Sequence, residues 1–306
     1  MGKAIPPNTL ELLECSIAES DDTDGVLWDA SATYSKDQLV RHEHKTYSSL
    51  GDSNKGNNPA QTYSGTNAKW KLITSTMPWR MLDAYVETQT IGADGVPLTF
   101  SVPFNRATAF GLLNVEGATC TVEVDDDEEG LYYSEEIDLV KDISGFSLWE
   151  YNYSLIETID KVVRVGLPMP ITGTLRVTID PGGEGSTAKI GHVVVGRDID
   201  LGGTLYGASV GTVDYSVKET NEFGHTTFVK RSSAPYAECK LYHHPNRADF
   251  VAQTLDKLRS QPVLWVLDPR NGGHTSLTIY GWLSDWSTAF EGPNEQELSL
   301  EINGLI

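Results

Sequence analysis

Two runs of carboxylate side chains in this sequence could bind a metal ion. The first is Asp-Asp-Asp-Glu-Glu at residues 125–129, and the second is Asp-Asp-Thr-Asp-Gly at residues 21–25. A calcium loop needs oxygen ligands at alternating positions, a glycine at the sharp turn and a distal bidentate glutamate. Adjacent carboxylates splay apart instead, because neighbouring side chains on a strand point to opposite faces. We interpret the first run as a solvated turn and the second as a capped turn, and we predict no metal site.

The histidine and hydroxyl side chains do not make a catalytic set by their spacing. His42 and His44 would share one face of a strand, but two imidazoles without a third ligand do not define a zinc site. The sequence has no Ser, His and Asp set that a fixed spacing would bring together, and no glycine-rich fingerprint for phosphate. A pair of carboxylates that hydrolyses glycosides stays an open alternative, because the fold determines the distance between two such groups. The sequence therefore predicts a protein that is not an enzyme and takes no cofactor.

Aromatic residues between positions 27 and 72 are spread among Ser, Thr, Asn and Gly, with few aliphatic residues. They are Trp28, Tyr34, Tyr47, Tyr63 and Trp70. A small domain buries only a modest core, and exposed flat rings suit stacking on sugars or packing against a partner. The alternative is that the rings form the core of this domain. We favour the core for Trp70, and both hypotheses stay open for Tyr34 and Tyr47.

The order of these residues resembles the small chitin-binding-type carbohydrate-binding module of chitinases and cellulases. The matching positions are Trp28, Tyr34, Tyr47, Asn57, Pro59 and Trp70. The pattern departs at residues 36–38, where Lys-Asp-Gln replaces the usual Gly-Asp. The resemblance implies that carbohydrate would bind Trp28, Tyr34, Tyr47 and Trp70. Modules of this kind are also reused as protein–protein adaptors.

Composition restricts the partners that this chain can have. Its 306 residues include 23 Lys and Arg against 43 Asp and Glu, for a formal net charge of −20. Residues 116–160 hold fourteen of the acidic residues and a single lysine, which is typical of a solvated face. Binding to a phosphate backbone needs clustered basic residues. We therefore predict no nucleic-acid partner.

The cysteines and the hydropathy of the sequence indicate the cellular compartment of the protein. Cys15, Cys120 and Cys239 are odd in number and far apart, so they predict neither a disulfide framework nor a zinc site and suit a reducing cytoplasm. No apolar run reaches the length of a bilayer, and the first residues lack the apolar segment of a signal peptide. We predict no membrane span.

Strand-like alternation predicts a mainly β, multidomain fold. The expected segments are a polar lead-in at residues 1–25, a carbohydrate-binding-like module at 26–79, a jelly-roll-like β-sandwich at 80–200 and a C-terminal mixed β assembly domain at 201–306. Within the sandwich, residues 96–102, 119–124 and 173–179 place apolar side chains at every second position. Residues 190–196 indicate a buried strand.

The C-terminal domain is expected to contain a hairpin and one helix. Residues 213–224 and 225–231 predict the two strands of the hairpin. Pro262 ends the helix, Asn246 is its expected N-cap, and its apolar face consists of Phe250, Val251, Leu255 and Leu258.

Four large aromatic residues of this domain lie within 22 positions, namely Trp265, Tyr280, Trp282 and Trp286. Aromatic residues are enriched where proteins bury surface against partners. At least one of the four, Trp282 or Trp286, is therefore expected to pack against another subunit. The alternative, that all four fill the domain's own core, stays open.

Longer tracts resemble a family of tailed-bacteriophage tail proteins. The matching tracts are residues 196–211, 214–224 and 280–282, the link at 78–83 with 87–90, and the closing Leu-Glu-Ile-Asn-Gly-Leu. That family combines a carbohydrate-binding-like module, a β-sandwich and a strand-rich C-terminal domain in this order.

The resemblance implies a structural virion protein at the tail tip, baseplate or fibre attachment, assembled in the host cytoplasm. Its partners would be other phage tail proteins and further copies of itself, as a trimer or hexamer. The alternative function is recognition of a bacterial surface glycan by exposed aromatics, and a polysaccharide depolymerase is less favoured.

Overall fold

The computed structural model describes residues 2–126, 130–140, 158–220, 222–270, 274–289 and 296–305. These residues form mainly β-strands in several sheets, which confirms the predicted mainly β, multidomain fold class. None of the helices in these ranges is both long enough and apolar enough to cross a membrane.

The aromatic module is built from short strands, which are numbered here along the whole chain. Its sheet contains, in spatial order, β3 (Val26–Leu27), β5 (Leu39–His42), β6 (Lys45–Ser49) and β8 (Trp70–Ser75). A separate ribbon pairs β4 (Thr33–Tyr34) with β7 (Asn54–Lys55). The short helices are α1 (Asp21–Asp24) and α2 (Pro59–Thr62), and a 3₁₀ helix at Met77–Leu82 leads out of the module.

Helix α1 is the capped turn expected from residues 21–25. The Ser20 hydroxyl accepts a hydrogen bond from the Thr23 amide, as an N-cap does. Asp24 is fully buried, and its carboxylate accepts hydrogen bonds from the amides of Ser20 and Met77 at 3.1 and 2.8 Å. This carboxylate therefore ties the start of the module to the segment that leaves it.

The hairpin between β5 and β6 shows that the predicted placement of the two histidines is wrong. Glu43 and His44 both have positive φ, at 50° and 60°, which is the geometry of a type I′ turn. His42 ends β5 and packs its ring 5.0 Å from that of Trp28, whereas the His44 ring stacks on Trp79 at 4.1 Å. The two imidazoles do not share a strand face because His44 lies in the turn.

The β-sandwich packs a five-stranded sheet against a three-stranded sheet. The larger sheet contains, in order, β13 (Gly130–Asp138), β12 (Thr119–Asp126), β15 (Thr172–Asp180), β10 (Leu98–Asn105) and β2 (Glu14–Cys15). The smaller sheet contains β14 (Lys161–Arg164), β11 (Ala109–Leu113) and β17 (His192–Gly196). A short ribbon beside them pairs β9 (Thr90–Ile91) with β16 (Lys189–Ile190).

The inner faces of the two sheets meet in one apolar core. In β12, Cys120, Val122 and Val124 are buried while the residues between them are partly exposed, so the predicted alternation is confirmed. All five residues of β17 are buried, as expected for a strand covered on both faces.

The C-terminal domain is a closed barrel of antiparallel strands. Its ring contains, in order, β18 (Ile199–Thr204), β1 (Gly2–Ile5), β23 (Val263–Val266), β24 (Thr278–Ala289), β25 (Gln296–Gly304) and β22 (Ser233–His243). Pairing of Gly203 with Tyr242 closes the ring between β18 and β22. A further strand, β19 (Ser209–Asp214), pairs with the first half of β22. The predicted sheet was mixed, whereas the described pairings in this domain are all antiparallel.

The barrel closes where Gly202 allows strands β18 and β22 to approach each other. Gly202 has a φ of 124°, and a Cβ atom there would lie 2.3 Å from the carbonyl oxygen of Tyr242. Only glycine tolerates both the dihedral angle and the contact. The pairing of β18 with β22 covers strand edges that an open sheet would present to solvent.

The first residues of the chain, predicted as a polar lead-in, include two strands that pair with the barrel and with the sandwich. Strand β1 lies between β18 and β23 in the barrel, and Ala4 and Ile5 are fully buried. Strand β2 pairs with β10 of the sandwich. The N-terminal segment therefore joins both large domains, because burying its apolar residues stabilises the fold more than exposing them.

Helix α3 (Ala248–Lys257) covers the barrel core with Val251, Leu255 and the following Leu258. The expected cap at Asn246 is wrong, because a 3₁₀ turn at Pro245–Arg247 precedes the helix and the His244 ring accepts from the Asn246 amide. Phe250 is half-exposed rather than part of the apolar face.

Candidate binding surfaces

Three of the four predicted sugar-binding rings form the core of the module. Tyr34, Tyr47 and Trp70 are at most 3% exposed. The rings of Tyr34 and Trp70 meet edge to face at 5.4 Å, and Trp70 Nε1 donates a hydrogen bond to the Asn57 carbonyl at 2.9 Å. Their assignment to carbohydrate binding is corrected, because a covered ring has no free face for a sugar. A module of this size uses its largest side chains to fill its interior.

Trp28 and Tyr63 are the more accessible aromatics of the module. Trp28 is half-buried and packs against this core, and its Nε1 is buried without a hydrogen-bond partner among the described residues. Tyr63 is exposed, with its ring 6.1 Å from that of Tyr47. Any contact with a glycan at this module would involve these two rings rather than the predicted set of four.

Carboxylates do not gather into a metal site within the described ranges. No group of three or more His, Cys, Asp or Glu side chains there could hold an ion. Asp125 lies in β12 and pairs with Arg176 at 3.8 Å, so the acidic run continues a strand before any turn begins. Residues 127–129 of that run lie outside the described residues.

The four aromatics of the C-terminal domain divide into two groups. Trp265 and Tyr280 are buried, and Trp265 Nε1 donates to the Gly281 carbonyl at 3.1 Å. Trp282 is 39% exposed, and Trp286 packs partly against the barrel core. The alternative that all four fill the core is therefore excluded. Packing of Trp282 or Trp286 against another subunit stays a prediction.

A two-stranded ribbon leaves the barrel after β19 and returns into β22, as the predicted hairpin. It pairs β20 (Val217–Thr220) with β21 (Thr226–Val229), and at its base the Arg231 amide donates to the Ser216 hydroxyl at 3.1 Å. We call residues 215–231 the arm. The arm carries exposed large apolar side chains, which are Tyr215, Phe223, Phe228 and Val229.

A cleft of about 660 Å³ lies between the sandwich, the barrel and the base of the arm. We call it the seam cleft. Lys161 of β14 lines it from the sandwich, and its Nζ donates to the Thr278 carbonyl of the barrel at 3.0 Å. Lys230 and Arg231 line it from the base of the arm. Burial lowers the pKa of Lys161.

Sequence patterns did not reveal this cleft. Lys161 is separated from Lys230 by 69 positions (230 − 161), and only the fold brings the two lysines to one cleft. The adjacent pair Lys230-Arg231 was the available signal, since two consecutive basic residues stand out in a chain with a net charge of −20.

His192 is the buried titratable group beside this seam. It is 5% exposed, and neither ring nitrogen has a hydrogen-bond partner among the described residues. Its ring lies 4.4 Å from that of Tyr280, so strands β17 and β24 meet through two aromatic rings. Together they line a smaller cavity of about 270 Å³.

Stability should fall on mild acidification because of His192. Burial lowers its pKa to about 4, whereas an unfolded histidine binds its proton near pH 6.5. Above pH 6.5 the ring is neutral in both the folded and the unfolded chain, and stability is lost as the pH falls from 6.5 to 4 because the unfolded chain then binds a proton that the folded chain does not. Between pH 7 and pH 5 the loss should be roughly 2 kcal/mol. Urea unfolding of the wild type and of His192→Phe at both pH values measures this change in the free energy of unfolding. An equal decrease in the two proteins would contradict the prediction.

No family model matches this chain, and no curated protein matches it. Among solved structures, it is similar to the crystal structure of the C-terminal domain of a chitobiase from Bacteroides fragilis. The identity is 11% and the TM-score is 0.31, over 64% of this chain and 99% of that domain. A likeness at this TM-score carries no argument about fold or function.

Proposed function

We propose that this chain is a structural, non-enzymatic protein of a bacteriophage tail that mediates protein–protein assembly at the tail tip, baseplate or fibre attachment. The assembly role rests on the exposed apolar side chains of the arm. The placement in a tail rests on the tracts that resemble tail proteins, above all residues 196–211 and 214–224.

The arm has the features of a segment that packs against another protein. Phe228 is 66% exposed and Phe223 is 86% exposed, which is unusual for large apolar side chains placed close together on a monomer. A two-stranded ribbon alone is only marginally stable in water. Contact with a partner would cover these rings and fix the ribbon.

Trp282 adds a second exposed aromatic on the barrel itself. Phe, Tyr and Trp are enriched in the buried centres of interfaces. In the proposed function the partners of the arm and of Trp282 are other tail proteins and further copies of this chain, in a ring of defined number.

Purified virions provide the test of the tail assignment. Virions banded by density gradient should contain this protein in constant ratio to the major capsid protein, and gold-labelled antibody should mark one end of the tail. A host cytoplasmic protein of similar abundance serves as the negative control. Presence in the lysate together with absence from intact virions would overturn the assignment.

A further inference from the structure

The seam cleft collects positive charge in a strongly acidic chain. Lys161, Lys230 and Arg231 all line it, against the carboxylates of Glu87 and Asp160 on the same walls. The lining therefore has three positive and two negative side chains, a net charge of +1 (3 − 2). The whole chain has a net charge of −20, so this is a local reversal of sign.

The Asp160 carboxylate compensates the charge of Lys161 only in part, since burial still lowers the pKa of Lys161. Elsewhere in the described residues Lys3 pairs with Asp198 and Arg247 pairs with Asp200. No carboxylate in the described ranges forms an ion pair with any of the three cleft cations. The Glu87 carboxylate instead accepts a hydrogen bond from the Ser232 hydroxyl at 2.8 Å, which holds the base of the arm against the sandwich.

Of the three cations, Lys161 would be stabilised most by a bound anion. An ammonium group carries three donors, and that of Lys161 uses one, to the Thr278 carbonyl. Removing a charge from water is costly when its partners compensate it only in part. An oxoanion in the cleft would supply acceptors and the opposite charge at once.

We propose that the seam cleft binds a small organic carboxylate, held by Lys161 at its inner wall and by Lys230 and Arg231 at its rim. A net lining charge of +1 matches a single carboxylate better than a dianionic phosphate. The cleft volume of about 660 Å³ falls in the usual range of 300–1,000 Å³ for small-molecule sites. This proposal does not depend on a role in a tail, because it uses none of the exposed apolar side chains of the arm.

The walls of the cleft also indicate the body of the ligand. Leu113, Ile279 and Leu305 supply apolar surface, while Ser232 and Ser233 supply hydroxyl groups. A ring with one apolar and one polar face fits between them. Benzoate and glucuronate represent an apolar and a hydroxylated ring, each with one carboxylate.

Isothermal titration calorimetry of the full chain tests the proposal, with sodium benzoate and sodium glucuronate as probes and glucose as the neutral control. We expect saturable binding of at least one carboxylate, weakening as sodium chloride is raised, and no binding of glucose. The tighter of the two probes then identifies the body of the ligand.

Matched variants locate the site. Lys161→Met should weaken carboxylate binding by about tenfold or more, because a hydrogen bond to a charged group is lost. Lys230→Gln, at an exposed position where folding is not at risk, should weaken it by about threefold. Lys257→Gln, on helix α3, removes the same charge away from the cleft and should change nothing. Circular dichroism verifies that each variant is folded.

Two outcomes would overturn the proposal. The first is that neither carboxylate binds the folded wild type. The second is that binding occurs and Lys230→Gln and Lys161→Met weaken it no more than Lys257→Gln does, since the ligand would then lie elsewhere.

Discussion

Replacing Trp265 with alanine is expected to lower the free energy of unfolding of the barrel by about 3–5 kcal/mol, the usual cost of truncating a fully buried tryptophan. Trp265 is fully buried in the centre of the barrel core. The substitution leaves a cavity there and removes the donor to the Gly281 carbonyl, which lies 3.1 Å from Nε1. Urea unfolding followed by far-ultraviolet circular dichroism measures the change.

Trp282→Ala is the matched control for this experiment. The same side chain is removed from the same barrel, but Trp282 is 39% exposed, so unfolding should change by about 1 kcal/mol or less. If Trp282 contacts another subunit, as predicted, its loss should weaken association instead. Similar destabilisation by the two substitutions would show that the division into core and surface aromatics is wrong.

Trp70→Ala should unfold the aromatic module, at a cost of about 3–5 kcal/mol. Trp70 is fully buried, and it packs edge to face on Tyr34 while Nε1 donates to the Asn57 carbonyl. The variant should therefore become sensitive to protease between residues 26 and 79 while the barrel stays resistant. Limited proteolysis with mass spectrometry of the fragments measures this directly.

Trp28→Ala separates the structural role of the rings from a sugar-binding role. Its half-buried ring packs at the edge of the module core, so its loss should leave most of the module protected from protease. A chitin pull-down compares the wild type with Trp28→Ala and Tyr63→Ala. If Trp70→Ala kept a folded module and lost chitin binding, the assignment of Trp70 to the core would be wrong.

Local patterns in the sequence predict local structure in this chain. The alternation of Cys120, Val122 and Val124 predicts the inner face of β12, and the turn residues 221–224 predict the hairpin of the arm. These features depend on residues close together in the chain. These predictions are correct because a strand with one buried face must alternate apolar and polar side chains.

Pairing between distant segments could not be predicted in this way. Strand β1 has four residues, too few to show a period, and its partners are strand β23, through Lys3 with Val266, and strand β18. The positive φ of His44 likewise depends on a two-residue turn that the sequence pattern does not mark as Asn-Gly or Asp-Gly.

The candidate sites could likewise be predicted from the sequence only in part. Aromatic type and spacing identified the rings of the module and the barrel, but not which of them are covered. Tyr280 and Trp282 are two positions apart, and one is buried while the other is exposed. Lys161 and Lys230 reach one cleft only because the sandwich packs beside the arm.

The mass of the purified chain in solution, measured with the wild type and with Phe228→Ser, tests assembly through the arm most directly. By sedimentation velocity over a range of concentrations, we expect the wild type to form one oligomer whose mass is a whole multiple of 33.6 kDa. Phe228→Ser should weaken that association at least about tenfold, because it removes a large exposed ring from the proposed contact. Thr227→Ser, at the neighbouring exposed position, should leave it unchanged. A wild type that stays monomeric at every concentration, or an oligomer that Phe228→Ser does not weaken, would contradict assembly through the arm.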